Sequence, residues 1–208
     1  MTADSPLEMA TRERADLADY LASLTPQQWA APSLCKGWSI KNVVAHMVSY
    51  DELGVTGLIG RFVKGRVVDA NDVGMREYSA LSNTELLDFL RSHTRPKGLT
   101  AGLGGMIGLV DGTIHHQDIR RALGDPRSIP SDRLAVVVPS IPSNPRLGAR
   151  KRIRGLTIRA TDIDWTHGRG PEVVGPAEAL MMAMCGRADA MSELDGPGAP
   201  TLASRQPS

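Results

Sequence analysis

The chain has 208 residues, 41% of them hydrophobic, with 24 Lys and Arg against 23 Asp and Glu for a formal net charge of +1. That length fits one domain, or one domain with a small appendage, and the apolar fraction supports a real core. The balanced charge removes the electrostatic argument for nucleic acid or an anionic membrane, and an aromatic content of 4% leaves little for base stacking. Cys35 and Cys185 are far apart and form neither a zinc-type spacing nor a disulfide framework, which favours a reducing interior. The chain opens without a basic segment followed by an apolar run, and no run of about 18 apolar residues occurs. The expectation is a cytoplasmic protein with no membrane span.

The first expected element is a helix over 5–24, with Leu7, Ala10, Leu17, Leu21 and Leu24 at mostly helical spacing. Thr25-Pro26-Gln27-Gln28-Trp29 reads as a break and a short helical turn, since proline suits a helix start. After a loop over 32–38, Ser39 is a good N-cap for a second helix. Its stripe is Ile40, Val43, Val44, Met47 and Val48, and the pattern is expected to run past Asp51 toward Phe62. Residues 64–80 are polar and mixed and include the start of another helix. Ser82-Asn83-Thr84-Glu85 is a capping sequence for a helix to about His93. A glycine-rich loop over 95–105 follows, then a helix from Met106 to Leu123 that stops at Gly124 with Pro126 beyond.

Residues 131–138 suggest a shorter helix. The prolines at 139, 142 and 145 mark the strongest boundary in the chain. The expected division is a helical bundle over 1–138, a linker over 139–150, a small α/β domain over 151–198 and a disordered tail over 199–208. Within the small domain, 154–165 alternates as a strand does. Residues 166–170 read as a turn, 171–174 as a returning strand and 177–185 as a helix opened by Pro176. Another helical turn over 188–194 follows. Met181, Met182 and Met184 on the helix read as core filling.

The residues that carry chemistry lie in the bundle. Asp111 and His115 are four apart and so share one helix face. His46 sits on a separate helix. An imidazole pair and a carboxylate suit zinc, although nickel, iron and manganese accept the same mixture. Three protein ligands with an open fourth position is the usual catalytic zinc pattern. Asp118, three residues after His115, either accepts from the second imidazole nitrogen or faces away. His116 cannot share the face of His115 and is expected at a cleft rim or in solvent. Arg120 and Arg121 read as a solvated helix face, or as a grip for a substrate carboxylate. Lys151, Arg152 and Arg154 read as a solvated strand entrance, with an anion site as the alternative. Cys35 has no neighbour in sequence that would activate its thiol.

The order of motifs resembles the mycothiol-dependent maleylpyruvate isomerase family, a branch of the DinB-like helical bundles. The resemblance rests on residues 34–46 (LCKGWSIKNVVAH), Asn71-Asp72, residues 115–124 (HHQDIRRALG) and residues 160–168 (ATDIDWTHG). Residues 175–180 (GPAEAL) and Gly186-Arg187 complete it. It implies a mainly α fold, a DinB-like four-helix metal-binding bundle followed by a small α/β C-terminal domain. The family's metal ligands are a histidine on the second helix and a Glu-x-x-x-His pair on a later one, which fall here on His46, Asp111 and His115. Asp111 departs from the pattern, being one methylene shorter than the usual glutamate. An active-site arginine of the family's small domain falls on Arg187.

The resemblance further implies a divalent metal, zinc foremost, with mycothiol as co-substrate. The activity implied is isomerase or S-transferase on a small electrophilic, acidic substrate, with no nucleic-acid or membrane partner. The alternative from another class is a non-catalytic or stress-related DinB-like protein that binds metal or a small molecule.

Overall fold

Residues 4–51, 75, 77–78 and 80–207 are described in a computed structural model of the chain. The expected run of the second helix toward Phe62, most of the 64–80 segment and Asn71-Asp72 lie outside the described residues. Contacts group the chain into two compact units, residues 1–127 and 128–208.

In the first unit, four helix starts are fixed by the same local device. Ser5 with Glu8 opens α1 (Pro6–Ala22), Thr25 with Gln28 opens α2 (Pro26–Ala30), Ser39 with Asn42 opens α3 (Ile40–Val48), and Ser82 with Glu85 opens α4 (Asn83–Ser92). In each, the cap side chain accepts from the backbone N–H three residues on, and the side chain there accepts from the cap's own N–H. The last helix, α5 (Met106–Ala122), ends at Leu123 with Gly124 left-handed at φ 70°. Helices α1, α3, α4 and α5 form the four-helix bundle, α1 lying against α4 and α5, and α3 against the same two. Leu17, Leu21, Trp29, Ile40, Val43, Val44, Met47, Leu86, Leu90 and Ile119 fill its core.

The segment before α5, expected as a loop, is a kinked 3-10 stretch over Gly98–Gly105. Gly105 adopts φ 94°, and a Cβ there would overlap the backbone of Leu7 at the start of α1. Glycine is needed at this position on both counts.

The second unit holds α6 (Ser131–Val137), a 3-10 turn (Val138–Ser140) and α7 (Ala149–Arg152). Strands β1 (Thr157–Ala160), β2 (Thr166–Gly168) and β3 (Glu172–Gly175) come next, then α8 (Ala177–Met184), a 3-10 turn (Ala188–Glu193) and α9 (Ala199–Ala203). The sheet order is β2-β1-β3, with β1–β2 antiparallel (Ile158 opposite His167) and β1–β3 parallel (Ile158 opposite Val173). Met181, Met182 and Met184 are fully buried with Leu180, Ile158 and Val173, so the methionine stripe does fill core.

Three expectations differ here. The proline segment is not a linker between units but part of the second one, because Pro139 is tolerated in the first turn of a short helix. Residues 166–170 contain β2, which pairs with β1 although all three of its residues are exposed and carry no alternation. The tail is ordered as α9, because Leu202 is fully buried and Arg205 Nη1 donates to the carbonyls of Arg152 and Arg154 at 2.7 and 2.8 Å.

Candidate metal centre

Helix α3 begins two residues after Trp38 and carries His46 near its C-terminal end, 7% exposed. Helix α5 carries Asp111 and His115 one turn apart on its facing side. The three side chains converge: Asp111 Oδ1 lies 3.7 Å from His46 Nε2 and 3.5 Å from His115 Nε2. One ligand atom from each lies within 4.8 Å of the others.

These separations are longer than hydrogen bonds, which for nitrogen and oxygen run to about 3.2 Å. They are close to the edges of a tetrahedron with arms of about 2.0–2.1 Å, whose donors stand roughly 3.3–3.5 Å apart. The chemistry of the set, two imidazole nitrogens and one carboxylate oxygen, suits zinc, so these residues fit a divalent cation. His115 adds a further observation. Its other nitrogen, Nδ1, is 2.9 Å from Oδ2 of the fully buried Asp118, the carboxylate–histidine arrangement typical of metal-binding imidazoles.

A second cluster, Cys35, His115 and Asp118, also groups possible ligand atoms. Here the spacing argues for direct bonding instead. Cys35 Sγ donates to Asp118 Oδ2 at 3.1 Å, and His115 Nδ1 meets the same oxygen at 2.9 Å. Distances of that size are filled by shared protons and leave no gap for an ion.

The local field is negative. Burial pushes Asp111 up, but charged His115 and then His46 and Arg14 outweigh it and bring the carboxyl down to about 2. The side chain keeps a third of its exposure, so solvent tempers that interaction. Burial pushes His115 down, yet Asp111, Cys35 and Asp118 raise it well above its ordinary value. A field that holds a proton on His115 also favours a metal cation between the same donors.

Aromatic rings enclose the group. The Trp38 ring is 5.0 Å from His46 and 6.5 Å from His115, and Tyr50 stands edge-on to His46 at 5.7 Å. The sequence did not single out Trp38 as part of a site, although its place one residue before an N-cap was a usable signal.

Other candidates are placed elsewhere. His116 is 1% exposed, not at a rim, and its Nδ1 meets Oε1 of fully buried Glu13 at 2.8 Å. Arg127 completes that cluster by pairing with the same Glu13 oxygen. The correction follows from packing, because the α5 face carrying His116 is covered by α1. A signal was present, since Glu13 and Arg14 occupy core-facing positions of α1 between Ala10 and Leu17. Arg120 pairs with Asp125 at 2.8 Å and lies over the Tyr20 ring at 4.2 Å, an ordinary surface arrangement. In the second unit, Arg152 Nη1 donates to the carbonyls of Leu147 and Met184 at 2.7 and 3.0 Å. Arg187 Nη1 donates to the carbonyl of Cys185 at 2.8 Å.

Residues 10–97 match the family model of the mycothiol maleylpyruvate isomerase N-terminal domain. That match lies within the first unit and makes this part of the chain similar to the family's N-terminal domain. Two crystal structures share its fold, one of the mycothiol-dependent maleylpyruvate isomerase and one of a histidine-to-alanine variant of it. They have a TM-score of 0.65, 14% and 13% identity respectively, and cover 93% of this chain and 92% of theirs. At that identity the likeness concerns fold: a mainly α, DinB-like bundle followed by a small α/β unit. No curated protein matches the chain. Among the described residues no helix is long and apolar enough to cross a membrane.

Proposed function

We propose that this chain is a metal-dependent enzyme that uses a low-molecular-weight thiol, mycothiol, to isomerise or S-substitute a small electrophilic, acidic substrate. The observation that carries the reading is the convergence of His46 Nε2, Asp111 Oδ1 and His115 Nε2 at separations too long for hydrogen bonds and suited to coordination. These three would hold a divalent cation, zinc foremost. Bound there, such a cation supplies positive charge that favours thiolate over thiol at neutral pH.

The chain's own residues would do the rest. Asp111, a third exposed, leaves an approach to the donor set from solvent. Trp38 supplies an apolar wall that limits water beside the two imidazoles. Arg187 is assigned the grip on an acidic group of thiol or substrate, because a guanidinium pairs with a carboxylate through two parallel hydrogen bonds. A reducing cytoplasm is the compartment proposed with this reading, since neither Cys35 nor Cys185 is in a disulfide among the described residues.

The test is elemental analysis of wild type beside His46→Ala and Asp111→Ala, purified without chelator. About one metal per chain, lost in both variants, supports the reading. Wild type would then consume maleylpyruvate, used as first probe, only with mycothiol present. Absence of metal after zinc is supplied would overturn it.

A further inference from the structure

We infer that Asp118 and Cys35 are positioning residues of the metal centre, with the loop before α3 acting as a strap that fixes the orientation of His115. The inference rests on the metal site proposed above and names what sets its geometry.

Asp118 is the hub. Its carboxylate is fully buried, and Oδ2 receives both the His115 imidazole at 2.9 Å and the Cys35 thiol at 3.1 Å. Its main-chain carbonyl accepts from the Leu34 N–H at 3.2 Å. Residues 34 and 35 are therefore tied to one residue of α5 through both main chain and side chain.

The chemistry gives the bonds a direction. An ionised carboxylate only accepts, so the proton on its contact with His115 belongs to Nδ1. In a neutral ring that leaves the Nε2 lone pair aimed at the Asp111 side, where the other donors stand. The thiol has one hydrogen, and the shorter contact with Asp118 uses it, the Cys35 Sγ to His115 Nδ1 distance being 3.6 Å.

The contrast with His46 makes His115 the ligand that depends on this device. His46 Nδ1 is buried with no hydrogen-bond partner among the described residues. Its ring is held by packing against Trp38 and Tyr50. Trp38 belongs to the same loop as Cys35, so one short segment reaches both imidazoles, His46 through the tilted Trp38 ring and His115 by way of the shared Asp118 carboxylate.

The experiment titrates metal-free protein with Co²⁺ under reducing, anaerobic conditions, reading the visible d–d bands and the affinity by chelator competition. Asp118→Asn, which keeps shape but removes charge, is expected to weaken Co²⁺ binding about 10- to 100-fold and to shift the bands. Cys35→Ala is expected to weaken it roughly threefold to tenfold, the size of one neutral hydrogen bond. Cys35→Ser, which restores a donor, recovers most of that loss. Thermal midpoints report whether each variant folds, and if Asp118→Asn does not, the Cys35 pair decides. Wild-type affinity and spectrum in both Asp118→Asn and Cys35→Ala would overturn the inference while leaving the metal site intact. Failure of wild type to bind Co²⁺ would overturn the site itself, and the strap with it.

Discussion

His115 and His116 are neighbours in sequence, about 100° apart on one helix, and they meet opposite environments. His115 faces α3, sits among Asp111, Asp118 and Cys35, and is raised well above its ordinary value by them despite burial. His116 faces α1, is bonded to Glu13, and is lowered, chiefly by burial with Arg127 and Arg120 adding to it. The difference lies in the sign of the surrounding charge. Around His115 two carboxylates, Asp111 and Asp118, stand against one imidazole, a setting that favours a cation. Around His116 the one carboxylate is already matched by Arg127, which closes the cluster. One helix thus carries the candidate site on one face and a buried polar lock on the other.

The contrast breaks most visibly by truncation. His115→Ala is expected to lower metal affinity by at least about 100-fold and to leave the metal-free protein folded, less the stability His115 contributes at low pH. His116→Ala should keep metal stoichiometry but cost about 3 kcal/mol of stability, because it opens a buried charged cluster. Metal analysis and urea unfolding of both variants check this, and metal loss in His116→Ala would erase the division of labour.

The pH dependence sharpens it further. In metal-free protein, raised His115 contributes stability that is full below the unfolded value near 6.5 and is lost as pH rises through its folded value. Lowered His116 contributes stability that is full above about 6.5 and is lost as pH falls through its folded value. Each single variant should unmask the other. His116→Ala should lose stability on going up from about pH 6.5, and His115→Ala on going down from it, as followed by chemical denaturation across the range.

The smallest expected effect concerns the outer end of α5. Arg120→Ala removes a partly exposed pair with Asp125 and a contact over Tyr20, and should cost about 0.5–1 kcal/mol with unchanged metal content. A larger loss by thermal unfolding would mean that the lock extends beyond Glu13, His116 and Arg127.

Much of this was legible in the sequence where the governing physics is local. The four capping boxes needed only residues three apart, and Asp111 and His115 share a face by helical period alone. The position of His46 against them came from motif order. What stayed hidden depends on partners far along the chain. Nothing beside His116 announces Glu13, 103 residues away in sequence, nor does anything beside Cys35 announce Asp118.

Strand β2 carries no alternation because both its faces are exposed, so only its pairing with β1 defines it. The tail helix is held by contacts that composition cannot register, among them buried Leu202, Arg205 reaching back to the carbonyls of 152 and 154, and Gln206 donating to the carbonyl of Ala183.

Gly105 lies outside the proposed metal centre, yet it constrains what variation the protein can accept. With φ at 94° and the backbone of Leu7 where a Cβ would go, every other residue forces α1 and α5 apart at their starts. In a saturation library selected only for folding, this position would return glycine almost alone, while exposed surface positions would accept many residues. A survey of tolerated substitutions would rank it beside the proposed ligands. That signal would report steric exclusion and not chemistry, and a catalytic role read from such a ranking would be misplaced at this residue.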